Sequence, residues 1–119
     1  MSELAFVIED DEDLAAIFTE ALQSSNYLVE TIRDGAIARQ RLKQAEPHVV
    51  VLDMHLPGVS GADILKQIRS DARLKQVVVV LATADARLGE LYTDVADFVL
   101  IKPITFTQLR DLTTRLHKV

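Results

Sequence analysis

Glu9-Asp10-Asp11 follows one apolar run of the chain, and Asp53 ends another, Val49-Val50-Val51-Leu52. Thr83 closes a third such run, and Lys102-Pro103 follows a fourth. A carboxylate at the end of a buried strand is costly unless something pairs with it. Three carboxylates brought to one edge would repel each other and raise their own pKa values. A hard divalent cation relieves that conflict, and a site of a few carboxylates plus waters suits Mg²⁺. Asp10 and Asp53 would be direct ligands, Glu9 a ligand directly or through water, and the loop after Asp53 offers a backbone carbonyl at His55. With the charge neutralised, one Asp53 oxygen stays free as a nucleophile towards a phosphoryl group. Phosphoryl transfer needs charge stabilisation above all, which the Lys102 ammonium and the Thr83 hydroxyl can supply.

For that chemistry, residues 9, 10, 53, 83 and 102 must meet. Residues 4–8 (LAFVI) are continuously apolar, the mark of a strand buried on both faces. Residues 28–32 (LVETI) read as a second strand, placed at a sheet edge by Glu30 and Thr31. Residues 49–52, the β-branched run 77–81 and residues 98–101 give three more. Between them Leu14, Ile17, Phe18, Ala21 and Leu22 recur at helical spacing, with Asp13 as N-cap. Ile37, Ala38, Leu42 and Ala45 mark a second helix after Asp34-Gly35, and Ile64, Leu65 and Ile68 a third after Gly61. A weak helix is predicted between residues 86 and 93, and Phe106, Leu109, Leu112 and Leu116 mark a closing one.

Such β-α alternation implies an α/β fold: a doubly wound, five-stranded parallel sheet with about five helices on its two faces. In these sheets the working site lies outside the carboxyl ends of the strands, where the acids, Thr83 and Lys102 all fall. A strand order of 2-1-3-4-5 unites Glu9, Asp10 and Asp53, and leaves the second strand, ending in Arg33-Asp34, at the edge and away from the site. Lys102 then starts two strands from Asp53, about 9–10 Å away, a gap that its four-carbon stem can largely cross.

The 119 residues suit one domain, 49% hydrophobic and 26% charged, as in ordinary globular proteins. A net charge of −5 argues against a nucleic-acid surface. There is no cysteine, hence no disulfide framework or thiolate site. The longest apolar run falls far short of the ~20 residues that span a bilayer, and MSELAFVIEDDED turns acidic too early for a secretory signal. A soluble, cytoplasmic protein with no membrane or nucleic-acid partner is expected.

IEDDEDL at 8–14, RDGAIARQRL at 33–42, PHVVVLDMHLPGVSG at 47–61, LATA at 81–84 and IKP at 101–103 stand in one register. Together they resemble the response-regulator receiver domain of two-component signalling, over essentially the whole chain. The resemblance implies a flavodoxin-like sheet and a single receiver domain over residues 1–119 with no output domain in this chain. It implies a signalling switch rather than an enzyme, in which Asp53 takes phosphate from a sensor histidine kinase or a histidine phosphotransfer protein. Glu9 and Asp10 match the family's acidic metal pair for Mg²⁺, and Thr83 and Lys102 its switch hydroxyl and lysine. The Lys102–Pro103 peptide is expected to be cis. The cognate kinase and the downstream target are not legible in the residues.

Receivers usually carry an aromatic residue three positions before the lysine; here that position is Val99, with Phe98 one earlier. The segment from Thr83 to Lys102 is also about one helical turn short of the family's usual length. The threonine–aromatic relay therefore lacks its second member. Two rival readings are a phosphate-free interaction module that keeps the fold, and a small phosphohydrolase. Against the first stands the intact acid, threonine and lysine set; against the second, His55 in place of a second acid and no length for a cap. Plainer readings exist for single residues. Acids suit helix N-termini, Arg39, Arg41 and Lys43 suit the solvated side of a helix, and His48 and His117 stand at no ligand spacing from His55. The apolar last strand, at a sheet edge, is expected to form a contact surface with its flanking helices, for a second copy or a target.

Overall fold

The apolar runs pair into one sheet in the computed structural model, which describes residues 3–117. The strands are β1 Glu3–Ile8, β2 Tyr27–Ile32, β3 Val49–Asp53, β4 Val78–Thr83 and β5 Phe98–Ile101. All pair in parallel, in the order β2-β1-β3-β4-β5. The helices are α1 Glu12–Ser24, α2 Gly35–Leu42, α3 Gly61–Ser70, α4 Ala86–Leu91 and α5 Phe106–Thr114, with a 3-10 turn at Ala72–Leu74. Asp53 and Thr83 are the last residues of their strands rather than the first of the loops beyond, so the sheet itself orients both side chains.

Side chains alternate across a strand, and here each alternate set meets its own layer of helices. Phe6, Ile8, Val50, Leu52, Val79 and Leu81 pack with Leu42, Ile64, Leu65 and Ile68. On the other face Ala5, Val7, Val49, Val51, Val80 and Ala82 pack with Phe18, Leu22, Leu109 and Leu112. This double cover explains why β1, β3 and β4 read as unbroken apolar runs. The closing stripe of Leu109 and Leu112 is core, as its spacing suggested.

Every α-helix begins just after a strand, and a side-chain oxygen caps each N-terminus: Asp11, Asp34, Ser60, Asp85 and Thr105. The expected cap Asp13 is displaced by Asp11, which is extended at φ −70° and accepts from Leu14 N at 2.9 Å. Asp13 lies instead in the first turn, where its charge still suits the dipole. The basic run of α2 is not a uniformly solvated face. Arg41 donates to both carboxylate oxygens of Glu30 at 2.6 and 2.9 Å, pinning α2 to the edge strand, and Arg39 bonds Gln67 of α3. Lys43 is exposed as expected.

At the amino-terminal edge of the sheet, Tyr27 stacks against His117 with ring centroids 4.1 Å apart, and against His48 at 6.3 Å. His117 also bonds Glu3 at 2.8 Å and the Ser25 carbonyl. These bonds hold the turn after α5 against β1 and β2. The bond to the Ser25 carbonyl, opposed by partial burial and helped by Glu3, raises the His117 pKa above the ordinary histidine value. The resulting stabilisation is complete below the unfolded value of 6.5 and disappears as pH rises through the higher folded value. His117→Ala should therefore destabilise the protein more at about pH 6 than at about pH 9 in urea titrations. An equal loss at both would place the histidine's contribution in stacking alone.

Candidate functional site

The parallel order sets the carboxyl ends of β1, β3, β4 and β5 side by side. Ile8 is in register with Leu52, Asp53 with Ala82, and Thr83 with Ile101. Glu9 and Asp10 thus emerge beside Asp53, and Lys102 emerges beside Thr83. Gly61 tightens the arrangement from below. A Cβ there would stand 2.5 Å from the Asp53 carbonyl and 2.6 Å from Met54 Cα, so only glycine lets α3 begin against the Asp53 peptide.

Glu9 and Asp53 are 1% and 2% exposed, and Asp10 is half-buried. One carboxylate oxygen from each of Glu9, Asp10 and Asp53 lies within 4.8 Å of the other two. Lys102 Nζ bridges two of them, at 2.9 Å from Glu9 Oε1 and 3.3 Å from Asp53 Oδ1. The same Asp53 oxygen accepts from the His55 backbone N–H at 3.1 Å, and the Asp11 N–H donates to Glu9 Oε2 at 3.2 Å. The His55 ring is exposed and lies outside the acid cluster. His48 and His117 lie at the opposite end of the sheet, in the stacked cluster already described.

Thr83 is fully buried, and its Oγ1 accepts from the Asp85 N–H at 3.0 Å. Asp85 in turn caps α4. The Lys102 N–H donates to the Thr83 carbonyl at 2.8 Å, and the Lys102–Pro103 peptide is cis. Beside Thr83 the missing aromatic has a structural counterpart. Gly89 of α4 faces Val99, Ile101 and the Thr83 methyl, and a Cβ there would stand 2.9 Å from Val99 Cγ1 and 3.6 Å from Thr83 Cγ2. A glycine opposite a valine lets α4 lie close against β5 next to the threonine.

The electrostatics follow from burial. Desolvation pushes the Glu9 carboxyl up to about 7; the bond from Lys102 pulls it down, and Asp53 adds to the rise. Burial acts to lower the Lys102 ammonium, but its bond to Glu9 and the charges of both carboxylates outweigh this and raise it. The site thus holds an excess of negative charge on hard oxygen donors, a set that fits a small divalent cation.

Against this geometry stand the relatives. A profile of the response regulator receiver domain matches residues 5–114. The chain belongs to the response regulator receiver family. This receiver is 31% identical over 107 residues to the phosphate regulon transcriptional regulatory protein PhoB of Rhizobium meliloti, covering 87% of the chain. It spans about half, 47%, of that relative's length. It matches the bacteriophytochrome response regulator RtBRR with a TM-score of 0.86 at 26% identity, covering all of this chain and 80% of that one. The receiver domain of the sensor histidine kinase PA1611 of Pseudomonas aeruginosa, which has a magnesium ion in its active-site cleft, matches at 0.85 and 21% identity over 98% of both chains. These likenesses and the observed strand order establish the flavodoxin-like receiver fold.

One side chain that the residue pattern set apart from the site reaches it. Arg33, just past β2, donates to the Asp10 carbonyl through Nε at 3.2 Å and Nη2 at 3.0 Å. The signal was its register: Ile32 pairs with Ile8, so Arg33 stands level with Glu9 and Asp10.

Glu9 binds its proton more tightly in the folded than in the unfolded chain. The metal-free receiver should lose stability as pH rises from 4.5 to about 7, and no further on this account above it. Glu9→Gln should flatten that decline in thermal melts run with EDTA. A decline of unchanged depth in the variant would assign it to another group.

Proposed function

We propose that this receiver is a phosphorylation-controlled switch whose acceptor is Asp53. The observation that carries the reading is the convergence on one buried carboxylate of two further acids and one ammonium. An Asp53 oxygen attacks phosphorus of a phosphohistidine on a sensor kinase or phosphotransfer protein. The new O–P bond forms as the N–P bond breaks, and the imidazole nitrogen leaves with the electron pair. Lys102, held between Glu9 and Asp53, supplies positive charge where the transferred oxygens gather. The Thr83 hydroxyl accepts from the Asp85 N–H and keeps its own proton to donate to a phosphoryl oxygen. Glu9, Asp10 and Asp53, with the His55 carbonyl, would hold Mg²⁺, which when bound neutralises the carboxylates and stabilises phosphoryl charge. Each phosphorylation uses one Asp53, so the chain acts as a stoichiometric acceptor rather than a turnover enzyme. Such a partnership with a kinase suits a cytoplasmic protein.

Incubation with Mg²⁺ and acetyl phosphate should add one phosphoryl group, labile to hydroxylamine, and Asp53→Asn should abolish it. Lys102→Ala should slow its formation by about a hundredfold to a thousandfold, the usual scale for removing one charge-stabilising group. Absence of the adduct in the unmodified protein would favour the phosphate-free interaction module, and rapid multiple turnover the hydrolase.

The output face in this reading is the apolar surface of α4 and β5. Leu91 is 74% exposed, Val95 41%, Phe98 37% and Ile101 42%, along an edge that no described strand covers. A second copy is the proposed occupant, since one open edge can pair with its own symmetry mate. Sedimentation with beryllofluoride should show dimer, reduced by Phe98→Ser. A strict monomer with and without beryllofluoride would rule out self-association.

A further inference from the structure

The proposed Mg²⁺ site depends on where the Asp10 carboxylate points, yet that carboxylate has no hydrogen bond or ion pair among the described residues. Its placement is therefore set by its backbone. The peptide that joins Asp10 to Asp11 is held at both ends. Its N–H donates to Glu9 Oε2 at 3.2 Å, and its carbonyl accepts both Nε and Nη2 of Arg33, at 3.2 and 3.0 Å. The neighbouring bonds, Glu9 N–H to the Ile32 carbonyl at 3.0 Å and Leu14 N–H to Asp11 Oδ1 at 2.9 Å, fix the ends of this loop but not the plane of that peptide. A single hydrogen bond leaves a carbonyl free to swing about it; a guanidinium fork does not.

We infer that Arg33 is a positioning residue of the acid site, which orients the Asp10–Asp11 peptide from the edge strand and so presents the Asp10 carboxylate to a divalent cation. The inference rests on the Mg²⁺ reading above. Its physical content is a contest of two opposite effects. The fork preorganises Asp10, which favours the cation, while the guanidinium charge opposes it. Arg33 is exposed, so salt screens the second effect and leaves the first. At 1 M salt the Debye length is about 3 Å, and only the geometric contribution should survive.

The test is Mg²⁺ titration by calorimetry in 1 M KCl, on the unmodified protein, Arg33→Ala and Arg33→Lys, with amide hydrogen exchange on the metal-free forms. Loss of a group that orients a metal ligand typically weakens binding ~10–100-fold. An exposed carbonyl can be partly satisfied by water, so a value near the lower end, about tenfold, is expected for Arg33→Ala. Arg33→Lys, with one donor in place of the fork, should fall between. The Asp11 amide should exchange faster in Arg33→Ala while the melting temperature and the β3 amides stay unchanged, which a general loss of structure would not produce. Equal or tighter Mg²⁺ binding by Arg33→Ala in high salt would overturn the inference. Should the unmodified protein bind no Mg²⁺, the reading of the acid site fails; the Asp11 exchange rate then still decides whether Arg33 holds the peptide, and an unchanged rate refutes it.

Discussion

Two carboxylates almost wholly removed from water, with one ammonium between them, are the constraint around which this receiver is built. Glu9 and Asp53 would each be expensive alone at that depth. Lys102 lies within hydrogen-bond range of both, but one positive charge does not balance two negative ones plus the adjacent Asp10. Burial, helped by the neighbouring Asp53, outweighs the bond from Lys102 and raises the Glu9 pKa. A cluster left short of positive charge is poised to take more, and a cation fits the oxygen donors present.

The surrounding fold holds this unfavourable arrangement in place. Three interior strands, covered on both faces, form a rigid platform, and Asp53 and Thr83 sit at its very edge within the strands themselves. Helix α3 is seated on the Asp53 peptide by the absence of a side chain at Gly61. Arg69 fastens the far end of the same helix by donating to the carbonyls of Val77 and Val95 and to Asp97, whose carboxylate also accepts from Val79 N–H. Stability for the site thus comes from dry packing elsewhere in the molecule.

The two ends of the sheet differ in kind. The carboxyl end concentrates charge and capped helix starts; the amino end is closed by stacked rings and by hydrogen bonds to the turn after α5. Between the site and the exposed α4–β5 surface stand Gly89 of α4 and Val99 of β5. A Cβ at Gly89 would stand 2.9 Å from Val99 Cγ1, so the glycine lets α4 lie close against β5 beside Thr83.

Chain order and side-chain type alone determined a large part of this protein. The strand runs, their alternation with helical periods, the sheet order and the placement of Glu9, Asp10, Asp53, Thr83 and Lys102 at strand ends were all legible, because burial on both faces leaves an unbroken apolar run and the parallel topology sends strand ends to one side. The family was legible for the same reason, as five short motifs in one register. Caps and pairings were less so. Asp11 and Asp13 both suit a helix start, and only the backbone angles of the folded loop select Asp11. Arg41 looked solvated until the edge strand brought Glu30 to it. The preference of Lys102 for Glu9 as well as Asp53, the approach of Gly89 to Val99, and the reach of Arg33 across to Asp10 depend on distances between elements far apart in the chain. Such distances are set by packing in three dimensions, where a long side chain just past the edge strand can reach the backbone at the end of the strand beside it.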